Sequence, residues 1–287
     1  MFSPQQPRRS LASLVLAMAL LLPGCGGAPT EGAAGDGPLS LYERGNRAAA
    51  SGDGAAARAA FEAAAEAGDV RAQRRLYAMY RNGDGVEADA GRAVFWLKRI
   101  AEGGDAAAQI VLATRYEDGD GVARDEALAA AWYRRAALQG ERRAQLLLAT
   151  LYETGRGVVR DEAEAARWYR AAAEAGDPLA QVSLGALYED GRGVARDRAW
   201  AAHWYGLAAA AGNPAGQLRL GRLYADGNGV RRDPVAAYMW LSLAARSANA
   251  PAAELAKASR RNLAATMRAD EIALARERVR AWRPAPG

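Results

Sequence analysis

One pattern recurs along this chain at a constant spacing of 36 residues, and it limits the fold more than any other feature. The tetrapeptide Gly-x-Gly-Val occurs five times, with a Tyr before it and an Asp and then a Trp after it, each at a fixed distance. A period of roughly 20 to 50 residues indicates a repeat protein built from stacked units. The first Gly, the Asp and the Trp of the five copies are Gly83, Gly119, Gly155, Gly191 and Gly227, then Asp89, Asp125, Asp161, Asp197 and Asp233, then Trp96, Trp132, Trp168, Trp204 and Trp240.

Within each unit, the apolar residues are spaced as on two amphipathic helices. In the first helix they recur as in Ala180, Leu184, Leu187 and Tyr188, which is the spacing of one face of an α-helix. The second helix has a similar pattern after the Asp. Each Asp is a predicted N-cap, and Asp161 is predicted to open a capping box. The first Gly of each tetrapeptide is predicted to end the preceding helix in a left-handed conformation.

An isolated helix pair of this kind cannot cover its own apolar face, so the units must stack on one another. Small Ala residues at the contacts let neighbouring helices approach closely, and each Trp is expected to fill the space between neighbours. Tyr80 and its equivalents are predicted to belong to the core together with the Trp series. A further helix is predicted near the C-terminus, at residues 262–282. The fold class is therefore predicted to be all-α, with one helix pair per unit.

The repeated unit resembles the Sel-one-like repeat (SLR), a relative of the tetratricopeptide repeat. The resemblance rests on the pattern A-Q-x-x-L-G-x-L-Y-E-x-G-x-G-V-x-x-D-x-x-x-A-x-x-W-Y-x-x-A-A-x-x-G, which is clearest at residues 180–212. It covers residues 68–248, and residues 41–68 resemble a degenerate first unit. The resemblance implies a right-handed superhelical solenoid of antiparallel helix pairs that acts as an adaptor for other proteins. Residues 41–253 are therefore predicted to form the repeats, and residues 254–287 a capping helix and tail.

The N-terminal residues have the pattern of an exported bacterial lipoprotein. Two Arg residues precede an apolar stretch at 11–22, which has the length of a secretory signal, whereas a membrane-spanning helix needs about 20 apolar residues. The run Leu22-Pro23-Gly24-Cys25 resembles the bacterial lipobox. This resemblance implies a signal peptide at residues 1–24 and a diacylglycerol on the Cys25 thiol.

The residues after Cys25 add to the predicted cellular location. Gram-negative lipoproteins held at the inner membrane tend to have Asp next to this Cys, so Gly26 implies the periplasmic leaflet of the outer membrane. Residues 25–40 are rich in Gly, Ala and Pro, which predicts a lipidated flexible tether. The protein is therefore predicted to contact the membrane through its lipid anchor alone and to be a monomer. Nucleic acid is disfavoured as a partner because the protein is predicted to be exported.

Catalytic residue types are scarce in this chain. One Cys and one His in 287 residues exclude a disulfide framework and a Cys/His zinc site. Nucleophilic catalysis of the Ser/His/Asp or Cys/His type needs an imidazole, for which His203 is the only candidate. Other units have Phe95, Ala131, Arg167 or Met239 at this position, so His203 is predicted to be peripheral. No catalytic residue, metal site or cofactor is predicted.

Two classes of function remain open. The favoured prediction is a non-enzymatic scaffold of the cell envelope that binds another protein or a peptide. The alternative is an envelope enzyme or binder acting on peptidoglycan or β-lactams, because some secreted SLR proteins with a cysteine pair in each unit have been linked to penicillin binding. This chain lacks those cysteines and has no convergent set of acid, base and nucleophile, which disfavours the alternative.

Curvature of a solenoid places the first helix of each unit on the concave side, where extended partners bind. Positions three residues after the small residue that opens the repeated pattern are predicted to point outward there. They differ in charge, size and polarity from unit to unit, whereas the neighbouring core positions barely change. The predicted partner-binding residues are Arg75, Val111, Leu147, Ser183 and Arg219. This set favours an extended partner with an apolar middle and acidic ends.

The C-terminal segment is basic. Residues 255–283 contain eight Lys or Arg residues and three acidic residues, which is a local charge of +5. Two interpretations stay open: a solvated face of the capping helix, or contact with an anionic envelope polymer or with lipid headgroups.

Overall fold

The computed structural model describes residues 39–247 and 250–284, with the side chains of residues 250 and 251 left out. All regular secondary structure in this part of the chain is α-helical. The helices are α1 (Leu41–Ala50), α2 (Gly54–Glu66), α3 (Val70–Asn82), α4 (Ala90–Glu102), α5 (Ala106–Asp118), α6 (Glu126–Leu138), α7 (Arg142–Thr154), α8 (Glu162–Glu174), α9 (Pro178–Asp190), α10 (Arg198–Ala210), α11 (Pro214–Asp226), α12 (Pro234–Ala244), α13 (Ala250–Ala264) and α14 (Ala269–Ala281).

The helices follow one another as stacked pairs. The first helices of the five units are α3, α5, α7, α9 and α11, and the second helices are α4, α6, α8, α10 and α12. Each helix from α1 to α12 packs against the next one along the chain, and α12 also contacts α14. A pair before the first unit, α1 and α2, packs on α3 through α2. The described chain is an all-α solenoid, and the predicted fold class is confirmed.

The helices of the repeats begin and end where the sequence predicts. The Asp233 side chain accepts a hydrogen bond from the backbone N–H three residues ahead, at 2.9 Å, and the other Asp landmarks cap their helices similarly. Gly155 ends α7 with a φ of 73°, and its equivalents are left-handed too. The predicted capping box at Asp161 is wrong in one respect. Asp161 caps α8, but the Glu164 carboxylate pairs with Arg167 and not with the backbone, because that guanidinium lies on the next turn of the same helix.

The core consists mainly of Ala and Leu side chains from both helices of each unit and from the adjoining unit. Small Ala residues such as Ala172 and Ala208 are completely buried, which lets neighbouring helices approach closely. Full burial of a Leu stabilises the folded state by about 1.5 to 3 kcal/mol. A Leu in the middle of the first helix is fully buried in four units: Leu76, Leu112, Leu148 and Leu184.

The aromatic landmarks divide into buried and half-buried positions. Trp168 is half-buried and packs against two neighbouring core clusters, so it fills space between units as predicted. The prediction for the Tyr landmarks is only partly correct, because Tyr80 is buried whereas its four equivalents are half-buried at the edge of the core. A second Tyr occupies the interior instead. It directly follows the Trp in three units and is at most 2% exposed: Tyr133, Tyr169 and Tyr205.

The second Gly of each tetrapeptide forms part of the joint between units. Gly157, in the loop between α7 and α8, lies against the start of α6 in the preceding unit. A Cβ at this position would be 2.0 Å from the carbonyl oxygen of Glu126, closer than any side chain allows. The repeat pattern alone does not explain why a Gly is needed at this position. The close contact between Gly157 and α6 explains it, because any side chain here would collide with that helix. The same close approach to a carbonyl oxygen occurs at Gly121, Gly193 and Gly229, and a Cβ on Gly85 would lie 2.9 Å from the Cα of Gly54.

A buried Gln forms a second contact between the same two units. Gln145, near the start of α7, donates from Nε2 to the carbonyl oxygen of Ala137 at the end of α6, at 3.3 Å. The Ala137 carbonyl also accepts a hydrogen bond of 3.0 Å from the backbone N–H of Gly140, so the Gln145 amide adds a second bond to it and links α7 to the end of α6. Equivalent bonds of 3.0 to 3.4 Å are made by Gln73, Gln109, Gln181 and Gln217.

The C-terminal region differs from the single helix predicted at residues 262–282. The structure has two helices there, because α13 ends at Ala264 and α14 begins at Ala269. The break is stabilised by the carboxylate of Glu271, which accepts a hydrogen bond from the backbone N–H of Arg268 at 2.9 Å. Both helices pack on α12, so together they cover the end of the last unit.

The predictions about the membrane concern residues outside the described part of the chain. The signal peptide at 1–24, Cys25 and all but the last two residues of the tether lie there. Among the helices that the structure does describe, none is both long enough and apolar enough to cross a bilayer.

Candidate interaction surface

The five residues predicted to contact a partner occupy equivalent positions on the first helices. Arg75, Val111 and Arg219 are exposed, whereas Leu147 and Ser183 are half-buried. Leu147 packs against the apolar core, so only part of its side chain is available to a partner. Equivalent positions of stacked units face the same side of a solenoid. These five residues therefore face one side of the solenoid, and we call them the first-helix face.

A cluster of four polar side chains lies at the end of α5. The Glu117 carboxylate accepts a hydrogen bond from the Tyr133 hydroxyl of α6, at 3.0 Å. It also forms an ion pair of 2.8 Å with Arg156, which lies in the Gly-x-Gly loop of the next unit. Thr114 Oγ1 is 3.1 Å from the Tyr133 hydroxyl oxygen. One carboxylate thus joins its own unit to the following one.

The same cluster recurs one unit later. Glu153 accepts a hydrogen bond of 2.7 Å from the Tyr169 hydroxyl and one of 2.9 Å from Arg192. Arg192 also lies 3.9 Å from Glu162 at the start of α8. The ion pair with Glu153 raises the pKa of the Arg192 guanidinium, so this cation stays charged at any pH at which the fold persists.

The third cluster takes its Arg from a different helix. Glu189 accepts a hydrogen bond of 2.7 Å from Tyr205, but Asn228 stands where the equivalent loop position has Arg in the earlier clusters. Arg219 of α11 supplies the cation instead, with Nη1 3.4 Å from Glu189. Arg219 is a predicted partner-binding residue, so the clusters, which we call the Tyr–Glu–Arg clusters, adjoin the first-helix face.

The rings of the three cluster tyrosines are buried, and this burial makes their hydroxyls less acidic. Burial raises the pKa of Tyr133 and of Tyr169 to about 12, partly offset by the hydroxyls of Thr114 and Thr150. Burial and the hydrogen bond to Glu189 raise the pKa of Tyr205 well above its usual range. The half-buried Ser183 side chain lies near the Tyr169 hydroxyl. The phenols therefore remain neutral hydrogen-bond donors at physiological pH.

Two features of the sequence mark these clusters, although the repeat pattern does not assign them a role. A Glu follows the landmark Tyr in three units, and in those same units a Tyr follows the Trp. The other two units have Arg81 and Ala225 in place of the Glu, and Leu97 and Leu241 in place of the second Tyr. The two positions therefore change together within the chain, as expected for side chains that contact each other.

His203 is exposed, in agreement with its predicted peripheral position. Its ring contacts Trp200 and Trp204 edge-on, at centroid distances of 5.2 and 5.3 Å. No carboxylate or hydroxyl bonds to this imidazole within the described residues, so nothing orients it for proton transfer. In the same part of the chain, no group of acidic, His and Cys side chains is placed to hold a metal ion.

Stacked helix pairs of nearly constant length, joined by Gly-x-Gly loops at a fixed period, define an α-solenoid of the tetratricopeptide-like class. The family described as Sel1 repeat matches residues 70–105, 106–141, 142–177, 178–213 and 214–249. The chain belongs to the Sel1 repeat family. Sel1 repeats in general mediate protein–protein interactions, and proteins of this family are typically non-catalytic scaffolds.

Two solved structures are similar to this chain. A Sel1 repeat protein from Oxalobacter formigenes is 29% identical, with a TM-score of 0.67 over 84% of this chain and 99% of its own. A protective antigen of uropathogenic Escherichia coli that displays an SLR fold is 26% identical, with a TM-score of 0.40 over 84% of this chain and 68% of its own. No curated protein is significantly similar in sequence to this chain.

Proposed function

We propose that this protein is a non-enzymatic scaffold of the bacterial cell envelope, and that it binds an extended segment of another protein along the first-helix face. One observation carries the proposal. The positions of this face, three of them exposed and two half-buried, change in charge, size and polarity from unit to unit, while the buried Ala, Leu and Gln residues of the same helices repeat. A scaffold needs that combination, because a uniform core keeps the helices in register while a varied surface selects the partner.

The Tyr–Glu–Arg clusters support the proposal by fixing the surface beside the face. Each carboxylate is held by a phenol from its own unit and by a guanidinium from the following unit. Side chains that are already ordered lose little conformational entropy on binding. The clusters therefore offer a partner fixed polar groups at a regular spacing.

The charges of the face define the chemistry of the partner. Val111 is 37% exposed and, with the accessible part of Leu147, provides apolar contacts in the middle. Arg75 at one end has no carboxylate partner among the described residues, so it attracts an acidic side chain. Arg219 at the other end already pairs with Glu189. The best match is a segment with an apolar centre and an acidic residue opposite Arg75.

The raised pKa values and the ion pairs in the Tyr–Glu–Arg clusters support a non-enzymatic role. A general acid or base works best when its pKa lies near the operating pH. Burial moves the pKa of Tyr133 and Tyr169 to about 12, and Arg156 and Arg192 neutralise the adjoining carboxylates. These clusters therefore hold the units together and present hydrogen-bonding groups, but they are poorly suited to proton transfer.

The envelope location rests on the N-terminal sequence. The apolar stretch at 11–22 and the lipobox-like run that ends at Cys25 support export and lipidation, and Gly26 supports retention at the outer membrane. Residues 25–40 would then give the solenoid reach from the periplasmic leaflet. We propose that the chain is anchored by lipid alone and acts as a monomer.

Introduction of a negative charge at one exposed Val tests the proposed face. We expect full-length protein with Val111→Glu to bind the partner at least about tenfold more weakly, because a charge would replace a central apolar contact. The matched control is Val159→Glu, since Val159 is 88% exposed in the loop between α7 and α8, away from the face. Affinity capture from the native envelope identifies the partner, and calorimetry with the purified partner gives the Kd values.

Both variants are expected to melt within a few degrees of the wild type, because each replaced side chain is exposed. Unchanged binding by Val111→Glu would overturn the assignment of the first-helix face. So would an equal loss in Val159→Glu, because the effect would then be one of total charge.

A further inference from the structure

An open cavity of about 410 Å³ lies between α12, α13 and α14, outside the first-helix face. Its wall contains five cationic side chains and no acidic one: Arg246, Lys257, Arg260, Arg276 and Arg280. They come from three separate segments of the chain, so the packing of the capping helices brings these charges together. The basic character of the C-terminal sequence is thus concentrated at one place.

The cations of this cavity are mostly without counter-charges. Lys257 forms an ion pair of 2.7 Å with Glu254 on the same helix. The Arg260 guanidinium lies 5.8 Å from the centre of the Tyr238 ring, which also lines the cavity. The remaining three form no ion pair with any residue that the structure describes. Like charges held around one cavity repel each other, and an anion between them removes that repulsion.

Ser242 supplies an independent indication of a ligand. This residue is 6% exposed and lines the same cavity, and its Oγ is buried without a hydrogen-bond partner within the described chain. A buried hydroxyl without a partner costs about 1 to 3 kcal/mol. An oxygen of a bound anion would accept the bond that Ser242 lacks, while the guanidiniums hold the rest of the group.

We propose that this cavity is a binding site for a phosphate group that carries at least two negative charges. Guanidinium groups bind phosphate oxygens through paired hydrogen bonds, and a single carboxylate would leave most of the five cations unneutralised. The Tyr238 ring and Val279 provide an apolar wall for the organic part of the ligand. The cavity volume is in the range of small-molecule sites. The ligand is therefore a phosphate ester or diphosphate, either free in solution or at the surface of a lipid bilayer.

A matched pair of variants tests the site in the full-length protein. The test variant is Arg260→Gln with Arg276→Gln, which removes one cation of the cavity from each capping helix. The control is Arg261→Gln with Arg278→Gln, which removes the same charge from the same helices at exposed positions that do not line the cavity. The probe is inorganic pyrophosphate at low ionic strength, because salt screens these attractions.

Calorimetry is expected to give saturable binding of pyrophosphate at one site in the wild type and in the control. We expect the test variant to bind at least about tenfold more weakly. Without pyrophosphate, the melting temperature of the test variant should equal or exceed that of the wild type, because repulsion is relieved. Ser242→Ala should weaken binding several-fold without lowering the melting temperature.

Vesicles distinguish the two sources of the phosphate. If the ligand is a headgroup, vesicles with phosphatidic acid, whose phosphate monoester has two ionisable oxygens, compete with pyrophosphate for the wild type and the control, whereas phosphatidylcholine vesicles do not. If the ligand is soluble, pyrophosphate binds and neither type of vesicle competes. The site is overturned if pyrophosphate does not bind the wild type, or if the control loses as much affinity as the test variant. None of these outcomes depends on the partner of the first-helix face.

Discussion

At the scale of single residues, the two glycines of each tetrapeptide have different roles. Gly155 ends α7 in a left-handed conformation. Gly157 has a φ of 68° and also lies in contact with the backbone of α6 in the preceding unit. The first role concerns one helix, whereas the second concerns the distance between two units. A side chain at the second position would push the units apart.

We expect Gly157→Ala to destabilise the protein by about 3 kcal/mol or more. The left-handed backbone costs an Ala about 1 to 2 kcal/mol, and the collision with the Glu126 carbonyl adds about 1 to 3 kcal/mol of overpacking. Gly140→Ala is the control, because Gly140 has a φ of 90° but an added Cβ would meet nothing within 4 Å. Thermal unfolding of both variants measures the difference, and equal losses would mean that the inter-unit contact has no energetic effect.

The residues at the joints show what sequence reasoning reaches and what it misses. Asp233 and Gly155 were predictable as helix ends, because their preferences are local and recur in every unit. The partner of Gly157 was not, since it lies 31 residues earlier and depends on how the units pack. Ser242 was unpredictable for a further reason. It faces helices that follow the last repeat, where the chain offers no second copy for comparison.

At the scale of helices, the Tyr–Glu–Arg clusters connect consecutive units through charge and hydrogen bonds. The carboxylate lies at the end of a first helix, the phenol on the second helix of the same unit, and the guanidinium on the following unit. The Tyr–Glu separation of 16 residues and the Glu–Arg separation of 39 exceed one helix. Helix periodicity therefore predicted each helix correctly but did not reveal these links.

The raised pKa values of the cluster tyrosines predict a loss of stability in alkali. An unfolded Tyr ionises near pH 10, whereas Tyr133 and Tyr169 ionise in the folded protein near pH 12. The folded state keeps these phenols protonated, so their contribution is complete below pH 10 and is lost as the pH rises towards 12. We expect the melting temperature to fall over that window.

Replacement of Tyr133, Tyr169 and Tyr205 by Phe should make this alkaline decline shallower, although the variant starts from a lower melting temperature at pH 7. Melting curves recorded from pH 8 to pH 12 measure both slopes. An unchanged slope in the triple variant would show that these three hydroxyls do not limit alkaline stability.

At the scale of the whole molecule, the two ends of the solenoid are covered by different elements. The solenoid is closed at its C-terminal end by α13 and α14, which pack on α12. The N-terminal end is covered by α1 and α2, and before them the sequence predicts a tether and a lipid. The proposed partner surface and the proposed phosphate site belong to different parts of this arrangement.

Replacement of the predicted lipidated residue tests the anchor. We expect Cys25→Ser, expressed in a Gram-negative host, to move the protein from the detergent phase to the aqueous phase, because the thiol that would carry the diacylglycerol is gone. Gly27→Ser is the control and should stay in the detergent phase. Phase partitioning with mass determination of the mature N-terminus gives the readout. Detergent partitioning of Cys25→Ser with an unchanged N-terminus would mean that lipid on this thiol is not the anchor.

The buried Gln residues have a consequence for how such a protein changes in evolution. Gln145 bonds to a main-chain carbonyl of the previous unit, and its four equivalents do the same. Each of these Gln bonds therefore recognises peptide backbone, which is chemically identical in every unit, and not a particular neighbouring side chain. A gene that gains or loses one segment of 36 codons leaves the remaining Gln residues with their usual partners. The length of the first-helix face can thus change by whole units without loss of this bond between units.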